Sequence, residues 1–332
     1  MPKTEDAILG ALAGIGAGVV LLCLYTAAQF LSFHFITPSK PLQKYKRGDA
    51  DAYALVTGAS AGIGFGIAQE LVRQGFGVIL LGHLPDELAS AAETLRAIHP
   101  DRPATLVRTL TMDARTATPD EMETALASLS PLKITILVNN VGGNPVANPP
   151  FRTHATYTCA DVDAVINQNA RFMARLTALI IPTLSAPAEP NQRSLILTLS
   201  SGGYIGLPWL VMYGATKAFN RALGTGLARE FTTDPSTSHI DSLVVLPGEV
   251  RSQGNCRGVP GSAPLAVRFG RDVVRKVDGA VSRGWREMHA DWWHGIEAAL
   301  VGIAPEASLT QGLTDQIRVK KEAWNEFWEK NR

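Results

Sequence analysis

Three cysteines in 332 residues, Cys23, Cys159 and Cys256, are odd in number and too widely spaced for a disulfide framework or a zinc site. A reducing, cytosol-facing setting suits them. Charge of one sign is missing too: 31 Lys and Arg stand against 30 Asp and Glu, so no global field draws nucleic acid or another polyanion, and no nucleic-acid partner is expected. The sharpest deficit is local. From Ala7 to Ile36 there is no Asp, Glu, Lys or Arg. A bilayer core needs about 20 apolar residues in a helix, so residues 7–36 are expected to form a membrane anchor behind a flank of residues 1–6. The run exceeds the ~7–15 residue apolar region of a cleaved signal peptide and is too evenly apolar for a core helix.

Flanking charge sets the orientation. Lys40, Lys44, Lys46 and Arg47 come after the run, while Lys3 before it is offset by Glu5 and Asp6, so the C-terminal side is expected to face the cytoplasm. Pro38, Pro41 and Gly48 mark residues 37–52 as a linker.

Beyond the linker the chain is patterned. Tyr53 to Thr57 reads as a short buried strand running into Gly58-Ala59-Ser60-Ala61-Gly62-Ile63-Gly64 and then a helical pattern. Glycines at such a turn let the backbone approach a pyrophosphate, and the N-terminus of the helix beyond it stabilises the charge. A second strand, Gly77 to Leu81, completes the context. Farther on, Tyr213 and Lys217 are four apart in a helical stretch and so share one face. An ammonium there is expected to favour the phenolate and bring the phenol toward a useful proton-exchange range.

These marks, with the G-x-x-x-G-x-G spacing, resemble the short-chain dehydrogenase/reductase family from about Ala52 to Pro247. The resemblance extends in order through Asp113, the run Asn139-Asn140-Val141-Gly142, Asn169, Ser200-Ser201 and Pro247-Gly248. It implies an α/β fold: a Rossmann-type doubly wound parallel sheet of about seven strands over residues 53–255, then a lid and C-terminal helical extension over 256–332. It implies that Gly58, Ser60, Gly62, Ile63, Gly64, His83, Asp113, Asn140, Gly142, Tyr213, Lys217, Pro247, Gly248, Val250 and Ser252 contact a nicotinamide cofactor. Tyr213 would be the general acid or base, Lys217 would lower its pKa, and Asn169 would hold a water linked to Lys217. A serine would bind the substrate oxygen. Counting thirteen residues back from Tyr213 selects Ser200, whereas aligning the strand end and the Ser201-Gly202-Gly203 turn selects Ser201, which is preferred because loops absorb deletions.

At the end of the second strand stand Gly82 and His83, with no acid before Asp86. Absence of a carboxylate there removes a repulsion against a 2′-phosphate, so NADPH is expected over NADH. Residues 253–264, with three glycines, have the composition of a mobile lid. The anchor, the Asn-Asn-Val-Gly run and the extension are similar to the microsomal very-long-chain 3-ketoacyl-CoA reductases and their 17β-hydroxysteroid dehydrogenase relatives. That similarity implies a single-pass protein of the endoplasmic reticulum membrane reducing a ketone on a lipophilic small molecule, a 3-oxoacyl-CoA or steroid-like substrate. Pro247-Gly248, which those reductases usually lack, leaves open a secondary-metabolite or retinoid-type carbonyl, and a non-catalytic nucleotide-binding role is the third reading. A homodimer is neither implied nor excluded by pattern. Trp285, Trp292, Trp293, Trp324, Phe327 and Trp328 are expected to pack the extension's core, with a membrane-interface patch as the alternative.

Overall fold

The computed structural model describes residues 2–38, 40–46, 52–101, 103–145, 149–186 and 192–330. Arg47 and Gly48 of the expected linker lie outside the described residues. Two compact units are present, residues 1–40 and 41–332. In the first, helix α1 (Pro2–Leu31) continues into a wider turn, Ser32–Ile36. Residues Ile8–Ile36 have a mean hydropathy of 2.3, which makes this helix long and apolar enough to cross a membrane.

The second unit is a seven-stranded parallel sheet. Its elements are β1 (Ala52–Thr57), α2 (Gly62–Arg73), β2 (Gly77–Gly82), α3 (Pro85–Arg96), β3 (Val107–Thr111), α4 (Pro119–Ser128), β4 (Lys133–Asn139), α5 (Cys159–Ile166), α6 (Phe172–Leu184), β5 (Ser194–Leu199), α7 (Val211–Glu230), β6 (Ile240–Val245), α8 (Ala266–Val281), β7 (Glu287–Met288), α9 (Trp292–Ile303) and α10 (Glu306–Lys330). Strand order is β3-β2-β1-β4-β5-β6-β7, the doubly wound arrangement that the resemblance implies. Strands β1, β2 and β5 are buried along their whole length and are mostly apolar, because helices cover both faces of a parallel sheet. Edge strand β3 is instead largely open to solvent beyond its buried first residue, Val107.

The chain just before the sheet is locked to it. Leu42 N donates to Gln74 Oε1 at 3.0 Å, and the Tyr45 hydroxyl donates to Asp241 Oδ2 at 2.8 Å, a carboxylate that Arg193 also grips from Nε at 2.8 Å and Nη2 at 2.6 Å. Because β1 and β4 are adjacent where the strand order reverses, a crevice opens beyond their carboxyl ends. The glycine turn, the Asn140 run, the Ser201 turn and Pro247 all leave the sheet on that side.

Candidate active site

At the end of β1 the chain turns through Gly58 (φ +62°) and Gly62 (φ +65°), left-handed conformations that cost side-chain-bearing residues energy. Asn140 Nδ2 donates to the carbonyls of Thr57 and Gly58, both at 3.0 Å, and Asn140 N donates to Thr57 Oγ1 at 2.9 Å. These bonds brace the turn from β4. At Gly64 a Cβ would collide with the Gly58 carbonyl oxygen and stand 2.5 Å from Asn140 Nδ2, so the first turn of α2, which carries Ile63, closes onto the loop only because Gly64 has no side chain. The opposite wall is the turn after β6, where Ser252 and Asn255 exchange backbone hydrogen bonds at 3.2 and 3.1 Å. Its Ser252 Cβ lies 3.8 Å from the place a Cβ on Gly62 would occupy. This cradle of glycines and backbone N–H groups fits a dinucleotide's pyrophosphate.

Three residues expected at the nucleotide lie farther out. Ser60 Oγ donates to Glu87 Oε2 at 3.1 Å, so a carboxylate from the first turn of α3 reaches the glycine turn. Glu87 carries no motif in the sequence, and only its place in a helix's first acidic turn could have signalled it. His83 is exposed at the end of β2. Asp113, past the end of β3, is engaged by Arg115, whose Nη2 lies 2.7 Å from Oδ2 and whose Nε and backbone N reach Oδ1 at 3.1 and 2.9 Å. That guanidinium holds the Asp113 carboxyl below the usual range.

Tyr213, Lys217, Ser201 and Asn169 come together between β4, β5 and α7. Ser201 lies just past β5; its Oγ accepts from Gly203 N at 3.1 Å and contacts the Tyr213 phenol. Ser200 is turned away, its hydroxyl donating to the Lys217 carbonyl at 2.7 Å. Lys217 is 4% exposed, donates from Nζ to the Leu199 carbonyl at 3.2 Å, and lies 5.7 Å from the centre of the Tyr213 ring. A Cβ on Gly142 would stand 2.6 Å from Lys217 Nζ, so that glycine gives the ammonium its space.

Asn169 sits in a one-turn π segment, Asn167–Arg171, between α5 and α6, a local widening that re-aims side chains. Its Nδ2 donates to the Gly143 carbonyl at 2.8 Å and to Thr216 Oγ1 at 3.1 Å, while Oδ1 accepts from Gly143 N at 3.0 Å. Thr216 in turn donates to the Tyr213 carbonyl at 2.8 Å. Asn167 points elsewhere, toward the Arg115 carbonyl at 3.2 Å.

One electrostatic expectation is reversed. The Tyr213 phenol is raised above its ordinary value, because burial dominates; the Ser201 hydroxyl draws it back and Glu249 raises it further. Lys217 has lost its charge by the pH at which this raised phenol ionises and so does not lower that titration, although at neutral pH its charge favours the phenolate. Burial pulls the ammonium itself down to about 8. The group that lowers the phenol here is Ser201, and at neutral pH Tyr213 keeps its proton beside a lysine that is still mostly charged.

Glu249, next after Pro247-Gly248, belongs to a network with no sign in the sequence. Lys320 of α10 places Nζ 2.6 and 2.7 Å from its two carboxylate oxygens and 3.1 Å from Asn255 Oδ1, and Gln316 Nε2 adds a 3.1 Å bond. Gly202 N donates to the Pro247 carbonyl at 2.7 Å, tying the serine turn to the same segment. Val250 is buried beneath it. Segment 253–264 is therefore clasped by the last helix, with Gly258 close against the Lys320 backbone. Trp209, four residues before Tyr213, is the one described non-glycine residue with positive φ (59°), and Lys321 of α10 stands 4.6 Å over its ring.

The short chain dehydrogenase family profile matches residues 52–257. A very-long-chain 3-oxoacyl-CoA reductase of Aspergillus clavatus is 32% identical over 228 residues, 66% of this chain and 62% of that protein. A protein of the same name from Pyricularia oryzae is 29% identical over 294 residues, 86% of this chain and 82% of the relative. Among solved structures, the 3-oxoacyl-[acyl-carrier protein] reductase of Brucella melitensis in complex with NAD superposes with a TM-score of 0.63 at 24% identity, over 75% of this chain and 99% of that one.

Proposed function

Since the chain belongs to the short-chain dehydrogenase family, we propose that it reduces the ketone of a lipophilic 3-oxoacyl-CoA substrate, with NADPH preferred over NADH, at the cytosolic face of the endoplasmic reticulum membrane. The observation that carries the reaction class is the Ser201–Tyr213–Lys217 constellation beside a glycine cradle. The names of the relatives support the substrate class, and the helix Ile8–Ile36 supports membrane attachment.

The glycine turn, Asn140 and Ser252 would hold the nucleotide, which supplies the hydride when bound. The chain's own residues handle orientation and one proton. Ser201 Oγ, in contact with the Tyr213 phenol, and the Tyr213 hydroxyl would together donate to a carbonyl oxygen. Tyr213, protonated at neutral pH, delivers the proton as negative charge develops there. Buried Lys217 then stabilises the phenolate left behind, in surroundings where a charge acts more strongly than in water.

These two groups set the sign of the pH dependence. Lys217 carries its charge below about 8 and loses it above, whereas Tyr213 keeps its proton beyond the range of an ordinary phenol. The kcat/KM for reduction is expected to be level through neutral pH and to fall above about 8. A first alkaline limb only at pH ~10 or beyond, where free phenols titrate, would remove the need for the lysine charge.

The direct test is NADPH and NADH oxidation by membranes carrying the full chain, offered 3-oxoacyl-CoA esters, 17-ketosteroids and simple aromatic ketones. The longer 3-oxoacyl esters with NADPH are expected to turn over best. His83→Asp restores the acid that repels a 2′-phosphate and should weaken NADPH roughly ten-fold or more, about 1.4 kcal/mol, with NADH unaffected or tighter. Equal use of both nucleotides by wild type and variant overturns the NADPH assignment, and a preference for steroids or aromatic ketones overturns the substrate class.

A further inference from the structure

The first three residues of α9 are Trp292, Trp293 and His294, and the helix presents two unlike faces. At 100° per residue, Trp292, Trp293, Ile296, Ala299, Leu300 and Ile303 fall within an arc of about 120°. Exposure on that arc is high: 43% for Trp292, 49% for Trp293, 56% for Leu300 and 80% for Ile303. The expectation that these two tryptophans pack the extension's core is thereby corrected. Trp324, Phe327 and Trp328 are instead half-buried on α10, where Phe327 and Trp324 flank Arg257 at 3.4 and 5.3 Å.

The opposite face of α9 lies on the active site. His294 is buried, its Nε2 bonded to the Glu249 carbonyl at 3.1 Å, and its ring fills the space a Cβ on Gly248 would need. The exposed apolar stripe is thus one helix diameter from the Pro247–Val250 segment.

We propose that this face of α9 is seated in the bilayer interface, with Trp292 and Trp293 at the headgroup level and Leu300 and Ile303 among the acyl chains. A bilayer fits better than a protein partner for two reasons. The arc holds no charged or hydrogen-bonding group apart from the indole N–H groups, and paired tryptophans suit a boundary between lipid and water. The same chain carries an apolar helix of 29 residues, Ile8–Ile36, that brings a membrane surface to it. The inference rests on the membrane attachment proposed above and is independent of the substrate.

The full chain suits a fluorescence test, because all six tryptophans lie at or beyond residue 209, outside the anchor. In vesicles of phosphatidylcholine brominated on the acyl chains, tryptophan emission should drop relative to plain vesicles, and Trp292→Phe with Trp293→Phe should abolish the drop. Ile303→Lys should also abolish it while leaving turnover of a water-soluble ketone intact. Equal emission in both vesicles, or a drop that survives the double variant, overturns the proposal. So does a disulfide-linked dimer that forms through Leu300→Cys and not in wild type, which would assign the face to a second copy. Vesicle flotation reads the anchor separately: a chain that floats unquenched overturns α9 docking alone, and one that fails to float overturns both.

Discussion

Replacing Tyr213 by Phe should lower kcat/KM for ketone reduction roughly 100- to 10,000-fold, the span a positioned general acid contributes, while the affinity for nucleotide changes little. The substitution deletes one oxygen from a ring that otherwise keeps its volume, so α7 and its packing survive. The loss is confined to the donor that Ser201 aligns and that Lys217 backs with charge. Ser201→Ala, which leaves the proton source in place, should cost less than the loss of the phenol. Turnover of Tyr213→Phe within about ten-fold of wild type would mean that another group delivers the proton. Unchanged catalysis and unchanged binding together would favour the non-catalytic nucleotide-binding role.

Much of this site is legible along the chain because its parts obey short-range rules. Gly58, Gly62 and Gly64 stand at a strand-to-helix turn, and Tyr213 and Lys217 are one helical turn apart, so spacing alone places each set. The strand end separates the two serines: β5 stops at Leu199, Ser200 hydrogen-bonds the Lys217 carbonyl, and Ser201 contacts the phenol. Features that depend on distant pairs leave no such trace. Lys320 and Glu249 are 71 residues apart, and their contact depends on how α10 crosses the loop after β6. The π turn at Asn169 has no local signature either. The raised phenol of Tyr213 shows a third kind of miss, since spacing reveals which charges are near but not how deeply a group is buried, and burial sets the direction here. The two outward tryptophans of α9 belong to the same class: a Trp-Trp pair in sequence carries no sign of the face it will occupy.

Gly64→Ala tests the cradle itself, and its expected effect is large because there is nowhere for one methyl group to go. The added Cβ would meet the Gly58 carbonyl oxygen, stand 2.5 Å from Asn140 Nδ2 and 3.0 Å from the Gly58 carbonyl carbon, all of them parts of one braced turn. Either α2 withdraws from the loop or the Asn140 bonds to Thr57 and Gly58 break. Overpacking of this kind costs about 1–3 kcal/mol of stability, and both outcomes displace the N–H groups aimed at a pyrophosphate. Nucleotide affinity should therefore fall by roughly ten-fold or more, each ten-fold being about 1.4 kcal/mol, measured by NADPH titration alongside thermal unfolding. Gly62→Ala is the informative contrast. Its Cβ would meet only Ser252 Cβ, at an ordinary 3.8 Å, so the cost is the left-handed backbone (φ +65°), about 1–2 kcal/mol, with the approach to the phosphates still open. If Gly64→Ala bound nucleotide as wild type does while Gly62→Ala did not, the pyrophosphate would have to rest on the outer loop and not on the N-terminus of α2.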